Sequence, residues 1–329
     1  MIGKWHLGEW HKEHLPMQRG FESHYGHYGA LIDSFTHKRG EVLDWHRNGN
    51  PVIEEGYSTY LFADEFERFI EDDDGEKPFF VYVPFNAVHG PHQAPDEILQ
   101  KYSGPMGSRL AQLECMDIAI GRMLDAIDRK GIRENTLIFF FNDNGAPDGI
   151  GNAPYRGGKS SFHEGGMRVA AVMRWPDKIS EGSSVDEPLH VVNIYPTFVN
   201  LAGGSLDQLL PLDGTDVWAT ITDGTTAPSE ELVYSLKAIR KGDWKYIDQE
   251  ADYYSFKIDE NQLFNIKEDP YEKTNLAEEH PEIVVELQER LKYHATFSRE
   301  AEEIRMIPDF PPTVYGEDEN RDLVQRLGK

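Results

Sequence analysis

The 329-residue chain carries 58 acidic against 33 basic residues, a net charge of −25, with 39% hydrophobic and 12% aromatic content. That is enough chain for one large α/β domain plus a smaller appendage, or for two ordinary domains, and too much apolar mass for a disordered chain. The charge opposes general affinity for nucleic acid or anionic membrane surfaces, so a site for an anion needs a local cluster of lysine, histidine and metal.

The chain opens Met1-Ile2-Gly3-Lys4-Trp5-His6-Leu7-Gly8, without the apolar core of a signal peptide. If extended, this segment points Lys4 and His6 to one side; a frayed terminus without function is the other reading. Residues 79–85 are continuously apolar, as in a strand buried on both faces, and residues 137–141 read the same way. Between them Leu110, Leu113, Met116, Ile120, Met123, Leu124 and Ile127 recur at helical spacing, so strand, helix and strand predict a parallel crossover. Cys115, the sole cysteine, falls in this pattern as a packed apolar thiol, and no intrachain disulfide can form. Residues 169–173 predict a further buried strand. Val191, Val192, Tyr195, Phe198 and Val199 predict a helical stripe despite Pro196, completing a parallel sheet with helices on both faces.

Beyond a turn-rich stretch at 213–229, short strands at 232–236, 244–247, 253–256 and 263–266 predict a small antiparallel sheet. A helix over 281–294 starts on Pro281 and aligns Ile283, Val284, Leu287 and Leu291. The segment from Met306, with Pro308, Pro311 and Pro312, reads as a loose tail or a strap. The expected domains are residues 1–222, residues 223–300 and a tail over 301–329. No apolar run approaches the roughly 20 residues needed to span a bilayer.

In open parallel sheets the ligand crevice lies beyond the carboxyl ends of the strands. After residues 79–85 comes Asn86-Ala87-Val88-His89-Gly90-Pro91-His92, where His89 can exchange a proton near neutral pH or be an ordinary loop histidine. After residues 137–141 comes Asn142-Asp143-Asn144-Gly145. Asp143 and Asn144 offer hard oxygens suited to Ca²⁺ or Mg²⁺, and the same tetrad also suits a strand-end turn. Further on, Arg156-Gly157-Gly158-Lys159 leads to Glu164-Gly165-Gly166-Met167-Arg168. Such a loop approaches an anion through backbone N–H groups and the Lys159 charge, or is a flexible surface loop; its glycine spacing is not that of a nucleotide phosphate loop.

In order and spacing these clusters resemble the sulfatase family: Gly3-Lys4-Trp5-His6-Leu7-Gly8, Gln18-Arg19-Gly20-Phe21, Val88-His89-Gly90-Pro91-His92, Asp143-Asn144-Gly145 and the Lys159 segment. Towards the C-terminus, Arg240-Lys241-Gly242-Asp243-Trp244-Lys245-Tyr246 and Leu263-Phe264-Asn265 are similar to the family's terminal subdomain. The wording around Trp5 and His163-Glu164-Gly165-Gly166 is similar to the arylsulfatase B (N-acetylgalactosamine 4-sulfatase) branch. The resemblance implies an alkaline-phosphatase-like α/β fold, a mostly parallel sheet flanked by helices, with a small C-terminal antiparallel sheet plus helix. It also implies hydrolysis of a sulfate ester, on sulfated carbohydrate or an aryl sulfate, at a bound Ca²⁺. On that basis Lys4 and Lys159 would hold sulfate oxygens, His6 would orient the nucleophile, His89 would sit beside the leaving oxygen, and Asp143 and Asn144 would be two calcium ligands.

The family nucleophile is a formylglycine made from the Cys or Ser of Cys/Ser-x-Pro-x-Arg. Here Cys115 precedes Met116-Asp117-Ile118-Ala119, and Ser103-Gly104-Pro105-Met106-Gly107 lacks the arginine. Met1 is therefore expected to be an internal methionine of a longer protein, and the chain alone is expected to be inactive. Two other functions stay open: non-catalytic binding of sulfated glycans, and hydrolysis of phosphate or phosphonate esters. By resemblance the full-length protein works outside the cytoplasm or in lysosomes.

Overall fold

The computed structural model describes residues 1–9, 12–147, 150–229, 231–249, 252–253, 256–258 and 260–298. The predicted tail from residue 301 lies outside them. The described residues divide into two compact units, one within residues 1–133 and the other within residues 134–298.

In the first unit β1 (Ile2–Lys4) pairs in parallel with β2 (Tyr25–His27). A small hairpin of β3 (Lys38–Arg39) and β4 (Val42–Leu43) follows, and β5 (His46–Arg47) and β6 (Asn50–Pro51) extend the sheet antiparallel beyond β2. On the other side of β1, the N–H groups of Ile2 and Lys4 donate to Tyr82 O and Pro84 O at 2.9 and 2.8 Å. Residues 79–85 thus run beside β1 as an extended segment. Gly3 and Gly26 permit this approach, with φ of 129° and 140°. A Cβ on Gly3 would overlap Pro84 O, and one on Gly26 would overlap Gly3 O. The expected burial of 79–85 on both faces is not met, because burial depends on which element covers a face and not on the apolar run alone. Phe80 and Tyr82 are 65% and 40% exposed and stack on Phe21.

Helix α1 (Ser58–Asp72) buries Phe62, Ala63, Phe66 and Ile70. The short α2 (Asp96–Leu99) precedes α3 (Gly107–Lys130), which packs along α1 and stops at Gly131, a left-handed cap with φ of 75°. The predicted helix is present, but its buried face differs from the expected stripe. Ala111, Cys115, Met116, Ala119, Met123, Ala126 and Ile127 are buried, while Leu110 and Leu113 are 40% and 46% exposed. Three alanines on the buried side let the helices approach closely, and the larger leucines fall to the flank. Cys115 is buried as expected, and burial pushes its thiol pKa up.

In the second unit β7 (Ile138–Phe141) is followed by α4 (Glu164–Met167) and β8 (Ala171–Arg174). The pairing of β7 with β8 is antiparallel, which corrects the parallel reading for this strand; among the described ladders β1–β2 is the parallel one. Burial on both faces is expected of the first strand and burial of the second, yet β7 is half-buried and Val172 is 63% exposed. Phe139 stacks on Phe141 and meets Phe198 of α5 (Ile194–Leu201) edge-on, so that contact covers one side.

After α6 (Trp218–Asp223), strands β9 (Glu231–Ser235), β10 (Ala238–Lys241) and β11 (Trp244–Ile247) form an antiparallel meander. A separate hairpin of β12 (Asp252–Tyr253) and β13 (Phe256–Lys257) replaces the single strand expected over 253–256. Then β14 (Gln262–Asn265) adds beside β11. Strand β10 was not predicted; the other three were placed within a residue or two. Helix α7 (Pro281–Ala295) lays Val284, Leu287 and Leu291 on Ile239, Tyr246 and Leu263, as its spacing predicts. The opposite sheet face holds Ala238, Ile247, Phe264 and Ile266 against Phe162 and Tyr234.

Candidate active site

The candidate residues of the first unit stand where β1 and its neighbour end. Lys4 closes β1, half-buried, and Trp5 turns inward to 7% exposure. Its indole N–H donates to His14 O at 2.9 Å and its ring meets Phe21 edge-on, which explains why the two opening motifs occur together. The N–H groups of Trp5 and His6 donate to His27 O and Tyr28 O, both at 2.9 Å. His6 takes a left-handed φ of 51°. Strand alternation therefore ends before it and does not by itself place Lys4 and His6 on one side.

Beneath this segment lies a buried polar floor that the sequence reading missed. Asp44, 0% exposed, accepts the N–H groups of Tyr28 at 2.9 Å and Gly29 at 2.8 Å and sits 3.4 Å from His46 Nδ1. Burial alone would raise the Asp44 carboxyl, but His46, His27 and the Tyr28 N–H hold it below the ordinary range. His24, Tyr28 and His46 stack at 5.1 and 4.2 Å. Burial drives His24 down to about 3 and His27 down to about 4, so both imidazoles are neutral at pH 7. Asp44 sits outside any periodic pattern; the density of histidines at 24, 27, 37 and 46 was the available signal.

His89 is exposed on the loop after residues 79–85, with Nδ1 2.8 Å from Gly90 O. A carbonyl oxygen can only accept, so Nδ1 carries the proton of this bond. From α3, the fully buried Gln112 donates Nε2–H to His89 O at 3.3 Å. Its Oε1 lies 3.1 Å from His92 Nδ1, and Arg109 reaches His92 Nε2 at 2.7 Å. The chain of donors thus runs from Arg109 through His92 and Gln112 to the backbone of His89. Lys4 ends β1 and His89 follows the carboxyl end of the parallel segment beside it, the position expected for a crevice.

The second unit assembles the remaining candidates on two stitched loops. Gly145 N–H donates to Gly166 O at 3.0 Å, and Lys159 N–H donates to Ala146 O at 2.8 Å. These two bonds bring the Asp143-Asn144 turn and the Lys159 loop together. The approach requires glycine, because a Cβ on Gly145 would overlap Gly165 O. Gly165 N–H closes the Lys159 loop by donating to Arg156 O at 2.7 Å. Asn152 braces its start, accepting from Ala146 N–H at 2.9 Å and donating to Ala146 O at 2.7 Å.

The structure therefore gathers Lys4, His6 and His89 at one edge of the first unit, and Asp143, Asn144 and Lys159 in the second. Asp143 is exposed and Asn144 half-buried, and their oxygens suit a hard cation. At most they would account for two of the roughly six to eight oxygens that Ca²⁺ takes. Among the described residues no group of three or more His, Cys, Asp or Glu side chains is placed to hold a metal ion. None of their helices is long and apolar enough to cross a membrane.

Helices against sheets, with anion-suited loops at strand ends, define an alkaline-phosphatase-like α/β protein. Residues 1–205 match the sulfatase family model, and the chain belongs to the sulfatase family. It is 29% identical to arylsulfatase J of Mus musculus over 94% of this chain and 62% of that protein. It is 27% identical to the N-acetylgalactosamine-6-O-sulfatase of Bacteroides thetaiotaomicron over 88% of this chain and 60% of that one. The chain thus spans less than two thirds of the length of these curated relatives. The solved structure of Ps i-CgsB in complex with k-i-k-neocarrahexaose matches with a TM-score of 0.79 at 26% identity, covering 99% of this chain and 75% of that chain.

Proposed function

We propose that the protein carrying this chain hydrolyses a sulfate ester on a sulfated carbohydrate. The carrying observation is the pair of backbone bonds that join the Asp143-Asn144 turn to the Lys159 loop, both from family motifs in family order. In this reading Lys159 contacts sulfate oxygens and offsets the negative charge that builds up in the transition state, the role the family resemblance also implies for Lys4. His89 presents Nε2 to the leaving oxygen and, when protonated there, donates the proton that oxygen needs. The Nδ1–H to Gly90 O bond holds the ring in the orientation that turns Nε2 away from Gly90. His6 lies one residue past Trp5 and would orient the attacking group.

Asp143 and Asn144 would hold Ca²⁺, which when bound supplies positive charge beside the sulfate. Formylglycine would supply the nucleophile; the 329 residues contain no Cys/Ser-x-Pro-x-Arg, so no step is assigned to it. The relatives named for N-acetylgalactosamine sulfates and the carrageenan-type ligand of Ps i-CgsB support a carbohydrate substrate. The arylsulfatase B resemblance around Trp5 and His163 points to a 4-sulfate, whereas the N-acetylgalactosamine relatives are named for a 6-sulfate.

The test joins a formylglycine segment ahead of Met1 and measures release of sulfate from N-acetylgalactosamine 4-sulfate, its 6-sulfate, an aryl sulfate and an aryl phosphate. Sulfate release that collapses in Lys159→Ala and His89→Ala supports the proposal. Tight binding of sulfated oligosaccharide without turnover would make the protein a glycan binder, and preference for the phosphate ester would overturn the sulfate assignment.

A further inference from the structure

The second unit contains a buried ionic triad that no strand-end motif accounts for. Lys245, on β11, is 0% exposed, and its Nζ lies 2.9 Å from Glu164 Oε1 and 2.9 Å from Glu272 Oε1. The second Glu272 oxygen accepts the backbone N–H of Glu164 at 2.6 Å. Arg156 donates to Glu272 O at 3.1 Å, and His163 Nε2 lies 2.9 Å from Gln262 Oε1 on β14. Glu272 itself takes a left-handed φ of 54°, unfavourable for a non-glycine residue. Both ends of the Lys159 loop, Arg156 and Glu164, are therefore fastened to the C-terminal sheet and its following turn by directed polar contacts. Apolar packing of Phe162 on the same sheet holds the loop near but does not fix its angle.

Burying two carboxylates with one ammonium is costly, and an apolar trio of equal size would pack at least as well. What the charges add is direction: a buried ammonium with two carboxylate partners accepts few loop positions. We propose that Lys245 is a positioning residue, which through Glu164 and Glu272 sets where the Lys159 loop, and with it the Asp143-Asn144 turn, sits. The link to the turn is the Gly166 carbonyl, two residues from Glu164, which receives Gly145 N–H. The inference rests on the reading of Lys159 as a sulfate ligand, and it gives the C-terminal sheet a part in substrate binding.

Hydrogen–deuterium exchange on the purified chain tests it, alongside calorimetry with inorganic sulfate. Glu164→Ala removes the loop-side carboxylate but leaves Lys245 paired with Glu272, so the sheet keeps a satisfied pair and is expected to fold. Exchange over residues 142–147 and 150–168 is expected to accelerate about ten-fold or more, with α7 and the β9–β10 hairpin unchanged. Glu164→Gln keeps an acceptor for Lys245 and is expected to restore both slow exchange and sulfate affinity. Lys245→Met, which leaves two carboxylates facing each other, is expected to loosen the same segment further. Wild-type exchange in Glu164→Ala, equal acceleration in α7, or failure of Glu164→Gln to rescue would each overturn the positioning role. Sulfate binding unaffected by Lys159→Ala would instead strike the sulfate-ligand reading and leave the exchange result standing.

Discussion

Gly145 and Gly166 are joined by a 3.0 Å backbone hydrogen bond that ties the acidic turn after β7 to the helical turn after the Lys159 loop. A side chain on Gly145 has no room, since its Cβ would overlap Gly165 O. Gly145→Ala is therefore expected to push the two loops apart, at a cost of roughly 2 to 3 kcal/mol. Urea unfolding of the variant checks the cost. A crystal structure with both loops in place and unchanged stability would show that the approach is not tight.

Gln112 is expected to matter through His89 rather than through any contact with substrate. Replacing it by Leu keeps the volume but leaves His92 Nδ1 and His89 O without their buried partner. A loss of about 1 to 3 kcal/mol is expected. The His89 ring resonances should move with it in a histidine-selective NMR spectrum. Resonances that stay in place would mean that the loop holds itself.

The buried histidines of the first unit predict a one-sided pH dependence. His24 and His27 have folded-state pKa values of about 3 and about 4, below the 6.5 of an exposed histidine. Above pH 6.5 both states are neutral and nothing is lost. As the pH falls below 6.5 the unfolded chain binds protons that the folded one refuses, so stability declines. Between pH 7 and pH 5 the loss is on the order of 2 kcal/mol per histidine. Fluorescence of Trp45, buried and stacked 4.3 Å from His37, follows unfolding at each pH. His24→Phe keeps the stack on Tyr28 and should flatten the slope; an unchanged slope would assign it to other groups.

Calcium affinity tests the two oxygen donors directly. Calorimetric titration of the chain with CaCl₂ is expected to weaken about ten-fold or more in Asp143→Ala, because a hard cation loses a charged ligand. Equal heats in both proteins would place any calcium elsewhere.

Much of the candidate site was legible because its motifs are local. Gly3-Lys4-Trp5-His6, Asp143-Asn144-Gly145 and the Lys159 loop are short runs whose glycines and charged residues declare a loop at a strand end. Helix α7 and strands β9, β11 and β14 were legible too, since periods of 3.6 and 2 are written into consecutive side chains. The supporting residues were not. Asp44 reaches back 15 and 16 residues to Gly29 and Tyr28, Gln112 reaches 23 residues to His89, and Lys245 reaches 81 residues to Glu164. Contacts at such separations leave no periodic trace.

Composition, motif order and side-chain period thus determined the family, the bounds of α7 and the location of the glycine- and lysine-bearing loops. Which faces are buried was decided by tertiary structure. Phe80 and Tyr82 belong to an apolar run yet lie exposed, and α3 buries alanines in preference to Leu110 and Leu113. Hydrophobicity is a property of one side chain, whereas burial depends on which element arrives to cover it. The same holds for charge: Lys245 differs from any surface lysine only in that two carboxylates from distant turns close over it.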